Sequence, residues 1–118
     1  SPLTDAGLVH VGGLTKLEKL DLRDTKISGK GLVHLSGLSA LKEIWIKNAE
    51  VTDADLVHLS GLISLEKVIL INTKVSGPGL IHLHGLSTLE RLDLCGSNVP
   101  ASHISAFQAA RPGCRVYH

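Results

Sequence analysis

The sequence predicts an α/β solenoid in which strand–turn–helix units stack in register, strands on one side and short helices on the other. Two observations carry that prediction. An eight-residue phrase returns along the chain at a constant spacing of 24, as GLVHVGGL at 7–14, GLVHLSGL at 31–38, DLVHLSGL at 55–62 and GLIHLHGL at 79–86. Within each unit the apolar spacing also changes once, from alternation to steps of three. Alternation is the period of a strand with one buried face, and steps of three suit a short helix with a narrow apolar stripe. One such unit cannot bury its own apolar face, so neighbours must stack.

The full units run 14–37, 38–61 and 62–85, with a partial unit at 1–13 and a last unit plus C-terminal cap at 86–118, all in one domain. In the first full unit Leu20 and Leu22 alternate with polar neighbours, while Leu32 and Leu35 stand three apart. Ile44, Ile46, Leu56 and Leu59 repeat those slots, as do Val68, Leu70, Leu80 and Leu83. Thr4, Ser28, Thr52 and Ser76 stand before the helical stretches, where a hydroxyl accepts a hydrogen bond from an orphan N–H of the first turn. The leading segment supplies a helix with no strand before it, so the sheet begins near 19–23 with an unpaired edge. The chain has neither a starting Met nor a signal-peptide pattern, which reads as a processed or truncated beginning. At the far end Pro100 replaces the hydroxyl residue, and Ile104 and Phe107 take the buried slots of a longer helix at 101–110. Arg111, Pro112 and Gly113 break that helix, and residues 114–117 add a fifth strand. Aligning CRVYH with LDLCG sets Tyr117 beside Cys95.

The pattern L-x-x-L-x-L-x-x-T-x-I-[ST]-x-x-G-L-x-x-L-x-x-L resembles the leucine-rich repeat family over residues 3–99. It is most similar to bacterial 24-residue repeats of the T-D-x-G-L-x-x-L kind, and more distantly to the cysteine-containing repeats of F-box proteins. The ending AFQAARPGCRVYH also resembles the way such bacterial proteins close. The resemblance implies a right-handed horseshoe with a parallel sheet of about five short strands on the concave side. Thr25, Ala49, Thr73 and Ser97 occupy the slot that the family usually fills with Asn or Cys. Ala49 cannot join the hydrogen-bond ladder of that slot, so the second unit is expected to be looser there.

Composition narrows the function. The core must be aliphatic, because Trp45, Phe107 and Tyr117 are the only aromatic residues apart from histidine. The formal charge is +1 and no Lys or Arg run occurs, which argues against nucleic acid or an anionic membrane as the partner. No apolar run approaches the roughly 20 residues of a membrane span. No glycine-rich phosphate loop and no enclosed carboxylate pair is present, so neither catalysis nor a cofactor is expected.

His10, His34, His58 and His82 recur once per unit. On a helical wheel His34 lies roughly 130° from the buried direction, so the four form a row along the convex side. A row diverges, whereas metal ligands converge on one point; a repeated surface residue is the expectation, with a metal-binding or pH-sensing role the alternative. Cys95 is expected outward and Cys114 inward on neighbouring strands, too ill-placed for a disulfide. Two free thiols fit a reducing compartment, which favours the cytoplasm.

The concave slots carry the functional expectation. Adjacent strands lie about 4.8 Å apart, so Trp45 falls beside Ile69, and Ile71 beside Cys95. The only Trp and the only Tyr stand in slots that a solvated sheet would keep polar. An apolar centre of Trp45, Ile69 and Ile71 within a charged rim of Lys47, Lys67, Glu43, Arg91 and Asp93 has the anatomy of a protein interface. The expected site is therefore Trp45, Ile69, Ile71, Lys47, Lys67, Asp93, Cys95 and Tyr117, on a non-enzymatic scaffold for a protein or peptide. Alternatives are self-association through the open N-terminal edge strand, or service as the recognition part of a larger protein.

Overall fold

A computed structural model describes residues 5–23 and 27–118. Thr4 and Thr25 lie outside the described residues. Among the described residues five strands form one parallel sheet in chain order: β1 Lys19–Arg23, β2 Glu43–Lys47, β3 Lys67–Ile71, β4 Arg91–Asp93 and β5 Arg115–Tyr117. Strand partners stand 24 residues apart throughout the sheet, from Lys19 with Glu43 to Asp93 with Tyr117. Alternation then does what it must. Leu20, Leu22, Ile44, Ile46, Val68, Leu70 and Leu92 point into one apolar core that runs from Leu8 to Cys114. The expected parallel sheet and aliphatic core are both present.

The returning segments close the core on the other side. They are α1 Asp5–Val11, α2 Gly29–Leu32 with a 3₁₀ turn at Val33–Leu35, 3₁₀ helices at Asp53–Leu59 and Pro78–Leu83, and α3 Ala101–Ala110. In two full units the expected short helix takes 3₁₀ geometry. The step of three explains it. A 3₁₀ helix turns once every three residues, so Leu56 and Leu59, or Leu80 and Leu83, are eclipsed and both buried. In α3, Ile104 and Phe107 are buried as the sequence predicts.

The helix starts are less uniform than the hydroxyl pattern implies. Ser28 caps α2 by accepting from the Lys30 N–H at 3.3 Å. At Thr52 the carboxylate of Asp55 accepts from both the Thr52 N–H and its hydroxyl, each at 3.0 Å. Ser76 does not cap the helix that follows; Gly77 stands at that position, with φ +128°. Ser76 instead donates its hydroxyl to Asp53 of the preceding unit. The same carboxylate accepts from the backbone N–H groups of Ser76 at 3.2 Å, Gly77 at 3.1 Å and Gly79 at 3.0 Å. Gly79 has to be glycine here, since a Cβ would stand 2.6 Å from the Asp53 backbone.

Two further differences concern the end of each strand. The expected ladder links Thr73 and Ser97, whose hydroxyls meet at 3.0 Å. Ala49 is buried and contributes no such bond. The preceding residue supplies the link instead: Asn72 donates its side-chain N–H to the side-chain Oδ1 of Asn48 at 3.0 Å. Asn48, Asn72 and Gly96 share one column and all have positive φ, at 58°, 53° and 79°. Asparagine and glycine are the residues that accept this conformation readily.

The fifth strand pairs two residues away from the expected register. Tyr117 faces Asp93, not Cys95, and Arg115 faces Arg91. The shift is even, so Cys114 and Val116 still face inward while Arg115 and Tyr117 face outward. The turn at Pro112 and Gly113 preserves the 24-residue offset of the other strands. Cys95 lies beyond the end of β4, with its backbone oxygen accepting from the Asn72 N–H at 2.9 Å.

Candidate protein-binding face

Sheet register sets the outward residues in columns. Lys19, Glu43, Lys67, Arg91 and Arg115 form the first, and Asp21, Trp45, Ile69, Asp93 and Tyr117 the second. Arg23, Lys47 and Ile71 begin the third. Trp45 and Ile69 are direct neighbours, as expected.

Trp45 is held from two sides. Its indole N–H donates to Glu43 at 3.2 Å, and the Arg23 guanidinium lies 5.0 Å from the ring centre. A cation over the indole face is an attractive arrangement. Ile69 departs from the expected exposed patch: it is only 1 % exposed. It occupies the middle strand between Trp45 and Asp93, with Lys67 and Ile71 two residues away along β3. The accessible apolar surface is therefore Trp45 and Ile71, with Ile69 as the floor beneath.

Each carboxylate on the face has a cation. Asp21 takes Arg23 at 2.7 Å, Glu43 takes Lys19 at 3.6 Å, and Asp93 takes Arg91 at 3.4 Å. Asp21 and Asp93 also share a backbone device. Each accepts from the N–H two residues on, of Arg23 and Cys95 respectively, at 3.0 Å. Hydrogen bonds from the Arg23 side chain and backbone hold the Asp21 carboxyl below its usual value. Arg91 also lies over the ring of Tyr117, 4.6 Å from its centre. The stacking roles of Arg23 and Arg91 were not read from the sequence; the diagonal pairing of Arg with an aromatic residue on the next strand was the available signal.

Neither thiol is poised for chemistry. A hydrogen bond to Asp93 holds the Cys95 thiol above its ordinary value, and burial adds to that. Burial pushes Cys114 up to about 11. Cys95 is exposed and Cys114 buried, both free, in keeping with their opposite orientations.

On the helical side His10 and His34 are exposed, and His58 and His82 half-buried. Beside them runs a second row that sequence reading passed over: Val9, Val33, Val57 and Ile81, all exposed. Among the described residues, no group of three or more His, Cys, Asp or Glu side chains is placed to hold a metal ion. No described helix is long and apolar enough to cross a membrane.

No protein-family model and no curated protein matches the sequence. Solved structures do. The chain is similar to a leucine-rich repeat protein of Leptospira interrogans at 20% identity and a TM-score of 0.75, covering 93% of this chain and 27% of that one. It is also similar to two proteins of Listeria monocytogenes. One is an internalin (18% identity, TM-score 0.57, 92% of this chain and 36% of that one), the other internalin C2 (22%, 0.61, 84% and 51%). The fold is accordingly a leucine-rich-repeat solenoid. The chain spans about half the length of these proteins or less.

Proposed function

We propose that residues 1–118 act as one non-enzymatic domain that binds a partner protein or peptide on its concave sheet. The observation that carries this reading is Trp45. The only Trp of the chain stands half-buried on β2, in the middle of that strand's outward residues, in a slot that holds Asp in β1 and β4. Its ring is fixed by Glu43 and Arg23 before any partner arrives, which lowers the entropy lost on binding. Ile71 extends the apolar surface, and Lys47, Lys67, Cys95 and Tyr117 belong to the same site; Asp93, expected on its rim, is instead buried at 6 % exposure. Large aromatic anchors within a polar rim dominate protein interfaces. Trp45→Ala should abolish binding of a partner captured by the wild-type chain while its thermal unfolding stays cooperative. Undiminished binding would reject the concave-face reading.

A second reading is self-association through β1. Among the described residues this strand pairs on one side only. Near it Leu14 is 54 % exposed, although Leu38, Leu62 and Leu86 in the same slot are fully buried. Light scattering over a concentration series separates the two readings, since a strict monomer excludes the second.

A further inference from the structure

The concave face has a charge imbalance that the rest of the chain does not share. Its outward slots hold six cations, Lys19, Arg23, Lys47, Lys67, Arg91 and Arg115, against the three carboxylates Asp21, Glu43 and Asp93. The whole chain is nearly neutral, so the remainder is net acidic. The three carboxylates are each paired with Arg23, Lys19 or Arg91. Lys47, Lys67 and Arg115 have no carboxylate within ion-pair distance among the described residues.

Two of those unpaired cations flank Arg91 in the first column, on consecutive strands. A cleft of about 420 Å³ opens there, lined by Lys67, Glu90, Arg91, Gly113, Arg115 and Tyr117. Three cations thus face it against one carboxylate. The Arg91 side chain also has bonding capacity to spare, for its Nε is buried without a hydrogen-bond partner. A buried donor left unsatisfied costs free energy, and an arriving anion that draws the guanidinium round would relieve that cost.

We infer that the partner is an extended acidic peptide segment, with carboxylates seated on Lys67, Arg91 and Arg115 and an apolar side chain against Trp45 and Ile71. The inference rests on the concave-face reading above and adds the chemistry of the ligand. Spacing follows from the sheet. From Trp45 on β2 to Arg115 on β5 is three strand separations, about 14 Å. An extended chain covers that in about four residues, so acid and apolar anchor should stand three to five positions apart. Unpaired cations also steer acidic ligands from a distance, and salt weakens that attraction.

The test is selection of a random peptide library on the wild-type chain, followed by titration of the enriched peptides. Emission of Trp45, the single Trp, serves as the readout. Enriched peptides should carry Asp or Glu at that distance from a large apolar residue. Lys67→Glu and Arg115→Glu should each weaken them about tenfold, with unchanged thermal melts, because neither residue is paired in the fold. Enriched peptides without acidic residues, or insensitive to both reversals, would overturn the acidic-ligand inference while leaving the concave face standing. Retained affinity in Trp45→Ala, read by calorimetry, or a selection that enriches nothing, would overturn the concave-face reading itself. A single-stranded oligonucleotide that competes as strongly as the peptides would show generic polyanion binding and overturn the peptide assignment.

Discussion

Arg23 holds its guanidinium 5.0 Å from the centre of the Trp45 ring, from the neighbouring strand and one pleat away. The same Arg grips Asp21 through Nε at 2.9 Å and Nη2 at 2.7 Å. One side chain therefore joins an acid on its own strand to the aromatic anchor of the next. Cation–π contacts at exposed sites are worth about 0.5–1 kcal/mol. Arg23→Ala should consequently cost about 1 kcal/mol or less in denaturant unfolding. It should also shift Trp45 emission and return the Asp21 carboxyl upward toward its ordinary value, which an NMR titration reads.

Ile69 and Ile71 sit two residues apart on one strand and differ in burial, so they should differ in stability. Ile69 is buried, and Ile69→Ala removes buried methyl groups at a cost of about 2–4 kcal/mol. Ile71 is half-exposed, and Ile71→Ala should cost about half as much or less. Urea titrations of the two variants decide this. Equal losses would contradict the described packing.

Asp53 predicts a pH dependence. Burial pushes its pKa up, but bonds from the Ser76 hydroxyl and the N–H groups of Gly79, Gly77 and Ser76 outweigh it and leave a lowered value. A carboxylate with a depressed folded pKa stabilises fully above its unfolded value, near 3.8, and the contribution is lost as pH falls through the folded pKa. Asp53→Asn should thus destabilise the chain by about 1–2 kcal/mol at neutral pH. The gap to wild type should close on acidification below pH ~4. A gap independent of pH would rule out the charged form as the source.

Gly96 and Gly85 give a matched pair. At Gly96 the backbone is left-handed, and a Cβ would come within 1.8 Å of the Asn72 side-chain oxygen. Nothing lies within 4 Å of a Cβ at Gly85. Gly96→Ala should cost about 1–3 kcal/mol, and Gly85→Ala about 0.5 kcal/mol or less. Thermal melts of the two variants side by side provide the check.

The thiols should react in a fixed order. Cys95 is exposed but held in its protonated form by Asp93, and Cys114 is buried with a pKa of about 11. Thiolate is the reactive species, so iodoacetamide at mildly alkaline pH should alkylate Cys95 slowly and Cys114 only on unfolding. Mass spectrometry of partly labelled protein reads both. Rapid labelling of Cys114 in the native state would contradict its burial.

Much of the fold was legible because the signal was repeated. A single apolar pair such as Leu32 and Leu35 says little, but the same pair at 56 and 59 and at 80 and 83 fixes a period and with it the register. What escaped was whatever depends on the differences between units. Nothing in the alternation of β3 distinguishes Ile69 from Ile71, because burial on an outward slot is decided by the bulk of neighbours on other strands. The choice of 3₁₀ over α geometry was implicit in the spacing of three, yet both helices accept that spacing. The two-residue offset of β5 followed from matching cysteine to leucine by type, where the 24-residue period already pointed from Arg91 to Arg115. The acids at 53 and 55 looked like ordinary first-turn residues, and only the stacked neighbour reveals where Asp53 reaches.

That reach has a consequence for how such a chain can be cut and rejoined. Excising residues 38–61 would remove one whole period, and every apolar slot on either side of the splice would still match. The unit then brought against Ser76, Gly77 and Gly79 carries Gly29 and Gly31 where Asp53 and Asp55 had stood. Three backbone N–H groups would lose the carboxylate that receives them. The units look interchangeable in their leucines, but their acids give them a fixed order.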